Sequence, residues 1–408
     1  MVPVRRRITT GEPAVTERDN DVVDPLGRLR APTDPACDVF LTGTVFLDII
    51  FTGLDSAPVR GTESWARGMG SSPGGVANMA TALARLGLRT SLAAAFGDDH
   101  YGEYCWDALE QGEGIDLSLS RTIAGWHSPV TVSMAYDDER TMISHGHAAP
   151  PADLDPGADG GPGADGGLGA DGSLGIAPPV GAPLACPPHS RAAIASLVPG
   201  QPEDWVARAA RSGARVFADV GWDDTGRWDL AALPDLEHCE AFLPNAAEAM
   251  RYTRTDCPRA AARALADKVR YAVVTLGSEG AYAVDGATGE TAEVPAIQVA
   301  ALDPTGAGDV FVAGFVTGTL AGWPLADRLA FAGLTAALSV QEFGGSLSAP
   351  TWGEIAAWWQ QAQRCDGQDP AALRARYAFL ERLLPVPARP WALRRAVPTI
   401  GFRPARAS

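Results

Sequence analysis

The sequence predicts an α/β fold, a largely parallel sheet covered by helices and carrying a small β lid. Three observations lead there. Short apolar runs of strand length alternate with segments of helical spacing; one segment, 128–145, breaks that rhythm with a hairpin pattern; and 408 residues at 46% hydrophobic composition are enough for a full core.

The elements follow in order. Residues 1–36 are polar, charged and proline-bearing without periodicity and read as a disordered leader, so the fold is expected to begin at Cys37. From Asp38 to Phe51 a buried strand, a glycine turn and a second apolar run follow, the last carrying one carboxylate, Asp48. An acid in such a run needs a partner or a task. Residues 73–87 switch to helical spacing, with Val76, Met79, Ala80, Leu83 and Leu86 on one face and Gly87 as the stop, so Gly74 and Gly75 sit at a helix N-terminus. Ser91–Gly97 reads as one short buried strand and 101–113 as a helix. In 128–145 Val130, Val132, Met134 and Tyr136 alternate, Asp137-Asp138-Glu139 turns, and Thr141, Met142 and Ile143 resume. Together with residues of about 44–72, this segment (128–147) is assigned to the lid.

Residues 157–174 hold three hexads, GADGGP, GADGGL and GADGSL, which bury too little to stack, so 150–188 is read as a flexible insertion. Alternation then resumes, with helices 203–212, 246–252 and 258–269 and strands 215–219, 240–243 and 271–275. Two amphipathic helices follow, 353–364 and one opened by Pro370. The core domain is expected to span 37–364, with a C-terminal helix and loose tail in 365–408.

A net charge of −16 argues against a protein that tracks nucleic-acid backbones or binds an anionic membrane. The six cysteines show no CxxC pair and no zinc spacing, which suits free thiols in a reducing compartment. With no apolar signal region after the basic start and no run long enough to span a bilayer, a cytoplasmic protein is expected.

The strongest chemical signal is Asp303-Pro304-Thr305-Gly306-Ala307-Gly308-Asp309 running into an apolar helix. Small residues let several N–H groups converge at the helix N-terminus, where an anion is stabilised. A carboxylate there repels phosphate, yet it suits a base that takes a proton from a hydroxyl attacking a phosphoryl group; the plain alternative is an acid favoured by the helix dipole. Gly74-Gly75 followed by Asn78 permits close backbone approach and supplies an amide that both donates and accepts, as a polyol contact requires, although paired glycines also precede ordinary helices. Asp48 can accept hydrogen bonds from vicinal hydroxyls. Asn245 and Glu248, one turn apart, can face a hydrated Mg²⁺ and phosphate oxygens, or simply form a capping box. Thr275-Leu276-Gly277-Ser278-Glu279-Gly280 is a strand entering a glycine turn, suited to a nucleotide and equally to any β-turn. A dinucleotide fold is not indicated, because no GxGxxG follows the first strand.

The order Gly-Gly-x-x-Asn, Asn-x-x-Glu, Thr-Leu-Gly-x-x-Gly and Asp-Pro-Thr-Gly-Ala-Gly-Asp resembles the ribokinase-like (PfkB) family of carbohydrate and nucleoside kinases over roughly residues 38–360, the 150–188 insertion excepted. The resemblance implies a doubly wound, three-layer αβα fold with a β lid, ATP and Mg²⁺ as cofactors, and a sugar or nucleoside as acceptor. It implies Asp309 as the base and the amides of Gly306, Ala307 and Gly308 as the anion hole. Asp48, Gly74, Gly75 and Asn78 would hold the acceptor, with Arg140 and His147 of the lid as additional contacts. Asn245, Thr275, Gly277, Gly280 and Thr305 would line the nucleotide, Glu248 would act on Mg²⁺ through water, and Asp303 would help build a K⁺ site. An exposed lid edge suggests a homodimer through the lid. Gly333 departs from the pattern, since many members carry Asn there near the adenine. Two histidines in a lid hairpin, His145 and His147, are also unusual and could touch substrate, although such a pair is more often solvated, by about two to one. A nucleoside kinase shares every motif, whereas the intact Asp309 and its glycines speak against a catalytically silent regulator.

Overall fold

A computed structural model describes Leu26 and residues 30–136, 139–147, 149, 187–221, 223, 226–342, 344–364 and 370–384, the side chains of residues 135, 139 and 140 excepted. The insertion 150–186, the hairpin turn 137–138 and the tail 385–408 lie outside them. The strands are β1 (Cys37–Thr42), β2 (Val45–Thr52), β3 (Gly68–Gly75), β4 (Thr90–Ala93), β5 (Ala95–Gly97), β6 (Arg121–Ile123), β7 (Val130–Tyr136), β8 (Glu139–His145), β9 (Ser190–Leu197), β10 (Arg215–Val220), β11 (Ala241–Phe242), β12 (Tyr271–Thr275), β13 (Ala281–Asp285) and β14 (Thr291–Val294). The α-helices are α1 (Val76–Arg85), α2 (His100–Asp107), α3 (Asp204–Arg211), α4 (Ala246–Thr253), α5 (Pro258–Leu265), α6 (Ala307–Leu320), α7 (Leu325–Ser339), α8 (Trp352–Arg364) and α9 (Pro370–Tyr377).

The main sheet has the order β14-β13-β12-β11-β10-β9-β1-β4. Strands β4 to β12 in that order run parallel, and β13 and β14 are antiparallel additions. Successive side chains of each strand serve opposite layers. Val39, Leu41, Phe217 and Val273 join the core under α1, α6, α7 and α8, whereas Phe40, Val216, Ala218 and Val274 join the core under α3, α4 and α5. The expected three-layer αβα fold is therefore present. From β1 the chain goes outward to β4 and later returns to the other side of β1 with β9. This reversal opens a crevice between the C-terminal ends of β1 and β9, the place where open α/β sheets bind ligands.

The lid is a second sheet of order β3-β2-β7-β8. Its register sets Ser72, Asp48, Thr131 and Ser144 in one row. Directly paired residues point to the same side, so these four polar side chains share a face.

Three local expectations change. Ser91–Gly97 is not one strand: β4 edges the main sheet and β5 pairs with β6, because Ala94 turns away to give its N–H to Ser120 Oγ and its carbonyl to Arg121 N–H. The packed chain begins before Cys37. Leu26 is buried in the core, and Arg30 bonds Asp38 and the carbonyl of Gly87, so this part of the leader is held by a buried charge. At the other end α9 joins the core, with Tyr377 and Leu380 fully buried and Tyr377 edge-on to Trp358 at 4.9 Å. Among the described residues no helix is long and apolar enough to cross a membrane, and the four described cysteines are free thiols.

Candidate active site

Helix α6 begins at Gly306, whose φ of 78° and ψ of 1° place it in the left-handed region that glycine adopts without strain. That turn delivers Ala307, Gly308 and Asp309 into the first turn of the helix. Its amides carry the partial positive charge of the N-terminus. Of the three expected anion-hole amides, that of Ala307 donates to the Pro304 carbonyl at 3.3 Å, while Gly308 faces open space, with no heavy atom within 4 Å of a side-chain carbon built there.

Two cavities meet at this helix end. One, of about 300 Å³, lies at the β1/β9 crevice and is walled by Asp309, Gly75, Thr44, Ser196, Phe46 and Trp205 among others. The other, of about 540 Å³, lies between α7 and the segment after β14, and reaches Gly308, Ala307 and Pro304. Asp309 thus borders one cavity and its helical neighbour Gly308 the other.

Of the residues expected to hold an acceptor, Gly75 lines the first cavity, and Asn78 is joined to it through Asp309. The Asn78 amide donates from Nδ2 to Asp309 Oδ2 at 2.9 Å, linking residues 231 positions apart. Asn78 is buried, and its Oδ1 has no protein hydrogen-bond partner. A side-chain carbon on Gly74 would stand 1.9 Å from Asp48 Oδ2, so the Asp48 carboxylate rests directly against the Gly74 backbone. Gly75 lines the cavity with φ of 64°. In the second cavity Thr275, Gly277, Gly280 and Gly308 line the wall. Asn245 is held beside Thr275 by a parallel bridge, with Thr275 N–H donating to the Pro244 carbonyl.

Asn245 and Glu248 form a reciprocal capping box: Asn245 Oδ1 accepts from Glu248 N–H at 3.0 Å and Glu248 Oε2 accepts from Asn245 N–H at 2.9 Å. Local chemistry therefore claims one oxygen of each side chain. Burial raises the Glu248 carboxyl above its ordinary range, against those two bonds. Among the described residues no three His, Cys, Asp or Glu side chains are arranged to hold a metal ion directly. Asp303 is buried with Oδ1 accepting from Thr305 N–H at 2.9 Å and Oδ2 facing Gly344 N–H at 3.5 Å. It clamps the loop before α6 to the loop after α7, which accounts for its burial without a cation.

Of the two lid candidates, His147 is not among the described lining of either cavity. His147 is exposed and packs edge-on to His145 at 5.1 Å, and His145 meets His127 at 6.0 Å. Arg140 pairs with Ala135 along β8, and its side chain is outside the described residues.

Asp219, which sequence reasoning passed over, lines the first cavity with Asp309. Burial, then the charges of Asp309 and Glu248, push its carboxyl well above the ordinary range. Its signal was available: it ends the strand 215–219, and acids at the carboxyl ends of parallel strands border the ligand crevice. Phe46, Trp205 and Glu203 also line that cavity. Burial raises the Glu203 carboxyl, opposed by a bond from the Trp205 indole and reinforced by Asp235.

Comparison with known proteins agrees with this geometry. The chain is 38% identical over 129 residues to ribokinase of Schizosaccharomyces pombe, a match covering 29% of this chain and 40% of the relative. It is 28% identical over 332 residues to a nucleoside kinase of Methanothermobacter thermautotrophicus, covering 78% and 94%. Arabidopsis thaliana ribokinase, solved with ribose and ATP, superposes with a TM-score of 0.59 at 22% identity over 79% of this chain and 98% of that one. The profile described as pfkB family carbohydrate kinase matches residues 39–155 and 192–352, most of the sheet and both cavities, and the chain belongs to that family.

Proposed function

We propose that the chain transfers the γ-phosphoryl group of ATP to a hydroxyl of a sugar or sugar derivative. The observation that carries this is the meeting of two cavities at the N-terminus of α6, with Asp309 on one side and Gly308 on the other. A hydroxyl in the first cavity lies next to a carboxylate, and a phosphoryl group in the second lies against helix amides.

Asp309 takes the hydroxyl proton as the oxygen attacks the γ-phosphorus, and the bond from that phosphorus to the β-phosphate oxygen breaks to release ADP. Asn78 donates to Asp309 Oδ2 and thereby holds the carboxylate in place, its other oxygen directed to the hydroxyl. The α6 amides stabilise negative charge on the transferred group. Mg²⁺, when bound, would neutralise phosphate charge, and Glu248 and Asn245 would hold its water shell. The reaction fits a cytoplasmic enzyme, and exposed Met142 and Ile143 on the edge strand β8 support pairing of two lids.

Asp309→Asn tests the reading. It keeps the shape and the neighbour of Asn78 but removes the base, so kcat should fall by about 10² or more with acceptor binding retained. Wild-type turnover in that variant refutes the assignment. Phe46 and Trp205 in the acceptor cavity favour a second reading, a nucleoside acceptor stacked on an aromatic wall. Measuring ADP release over sugars and nucleosides with Mg²⁺ separates the two. Binding without turnover across that whole panel would instead mark a silent regulator.

A further inference from the structure

Gly333 stands in the middle of α7, where a glycine weakens the helix. Packing does not require it. A side-chain carbon built on Gly333 meets no heavy atom within 4 Å, whereas one on Gly314 of α6 would lie 2.5 Å from Thr335 Oγ1 and 2.8 Å from the Ala332 Cα. At Gly314 the close approach of two helices demands glycine; at Gly333 the missing side chain leaves space, and that space is the cavity of about 540 Å³.

The wall on this side is one face of α7, formed by Leu329, Gly333, Ala336, Ala337 and Val340. Ile297 and Val299 line the same cavity from the segment after β14. Among the described lining residues none is charged, and the polar side chains are Thr275, Ser278 and Gln298, all outside α7. Gln298 directs one amide N–H to the Ser278 carbonyl at 3.2 Å. Phosphates belong at the Gly308 end of the cavity, beside the α6 amides, which sets the base against the apolar face of α7.

We propose that Gly333 determines phosphoryl-donor specificity: the open face at this glycine grips the base by its apolar surfaces without a side chain that reads its hydrogen-bonding edge, so the enzyme accepts GTP and ITP about as well as ATP. This rests on the kinase reading above and on the cavity being the nucleotide site. Discrimination by buried polar partners reaches about 10⁴ to 10⁵, because a wrong base leaves them unpaired; an apolar slot separates bases by far less. Pyrimidine triphosphates, with smaller rings to bury, follow at lower efficiency.

The experiment measures formation of phosphorylated acceptor, using the best acceptor of the substrate panel, with ATP, GTP, ITP, UTP and CTP as donors. The expected wild-type kcat/KM values for the three purine donors agree within about tenfold; a preference for ATP above about 100-fold overturns the proposal. Gly333→Asn places an amide that donates and accepts in the slot and should shift the ATP-to-GTP ratio by about tenfold or more. Gly333→Leu fills the slot and should raise KM for every donor by about tenfold or more, with the acceptor KM unchanged and the far-ultraviolet circular dichroism of the folded protein retained. Wild-type donor KM in a folded Gly333→Leu protein also overturns it. Transfer from no donor to any acceptor sinks the kinase reading itself, whereas transfer from ATP alone sinks only this inference.

Discussion

Replacing Gly74 by alanine should separate acceptor binding from nucleotide binding. A side-chain carbon at residue 74 would stand 1.9, 2.1 and 2.4 Å from Oδ2, Cγ and Oδ1 of Asp48. Non-bonded carbons approach to about 3.5 Å at best, so the whole carboxylate must leave its position. Asp48 is buried between β3 and β7, paired with Ser72 on one side and Thr131 on the other, so a change of rotamer is its exit. Two charge-assisted hydrogen bonds to acceptor hydroxyls, at about 1.5–3 kcal/mol each, would be lost with it. A total of about 3–6 kcal/mol corresponds to a rise in acceptor KM of about 10² to 10⁴. Overpacking should cost about 1–3 kcal/mol of stability besides. Initial rates with acceptor and ATP varied in turn would show the split, since the cavity proposed for the nucleotide has no wall in β3. An acceptor KM within about threefold of wild type, in protein shown to be folded by its melting curve, refutes the role assigned to Asp48.

Two predictions concern the frame around the site. Arg85 is buried with Glu113 and donates to the carbonyls of Leu347 and Ala349 at 2.9 and 2.7 Å, tying α1 to the loop that holds Gly345 against Ser72 and Asn78. Arg85→Ala removes the buried ion pair with Glu113 and both carbonyl bonds and should cost about 3–5 kcal/mol by urea unfolding, a loss under about 1 kcal/mol counting against the tie. Asp38 meets Arg30, Arg89 and Arg191; burial opposes its charge, but bonds from Arg89 and then Arg30 outweigh that and lower its carboxyl from 3.8 to about 2. A depressed carboxyl stabilises above its unfolded value and loses that contribution as pH falls through the folded one. About 2 kcal/mol should therefore disappear between about pH 4 and pH 2. Asp38→Asn should be less stable than wild type at pH 7 by that amount and equal to it near pH 2; a gap independent of pH would dismiss the account.

The motifs around Asp309, Gly75 and Asn245 were legible because each rests on local backbone chemistry. Gly306 can adopt positive φ wherever it occurs, and Asn245 with Glu248 closes a capping box with no help from the rest of the fold. Periodicity likewise announced α1, β10, β12 and the lid hairpin. Strand β3 was hard to see as a strand, since GMGSSPGG has scarcely any side chains to alternate. It becomes one through pairing with β2 along its whole length. Nor could spacing show that Ser91–Gly97 divides between two sheets, because the division is made by Ser120 and Arg121 from another segment.

By itself the sequence determined the α/β class and the order in which the motifs arrive, and it pointed to Asp309 as the proposed base. Tertiary structure decided which of them meet. Asn78 reaches Asp309 across 231 positions, Asp48 lies on Gly74 through a strand register, and Asp219 enters the acceptor cavity because β9 and β10 both end there. His147 is left among exposed rings. The physical reason is that turns, caps and periodicity are set within a few residues of chain, whereas the pairing of distant carboxylates, amides and glycines depends on sheet register and on how two helices close over it.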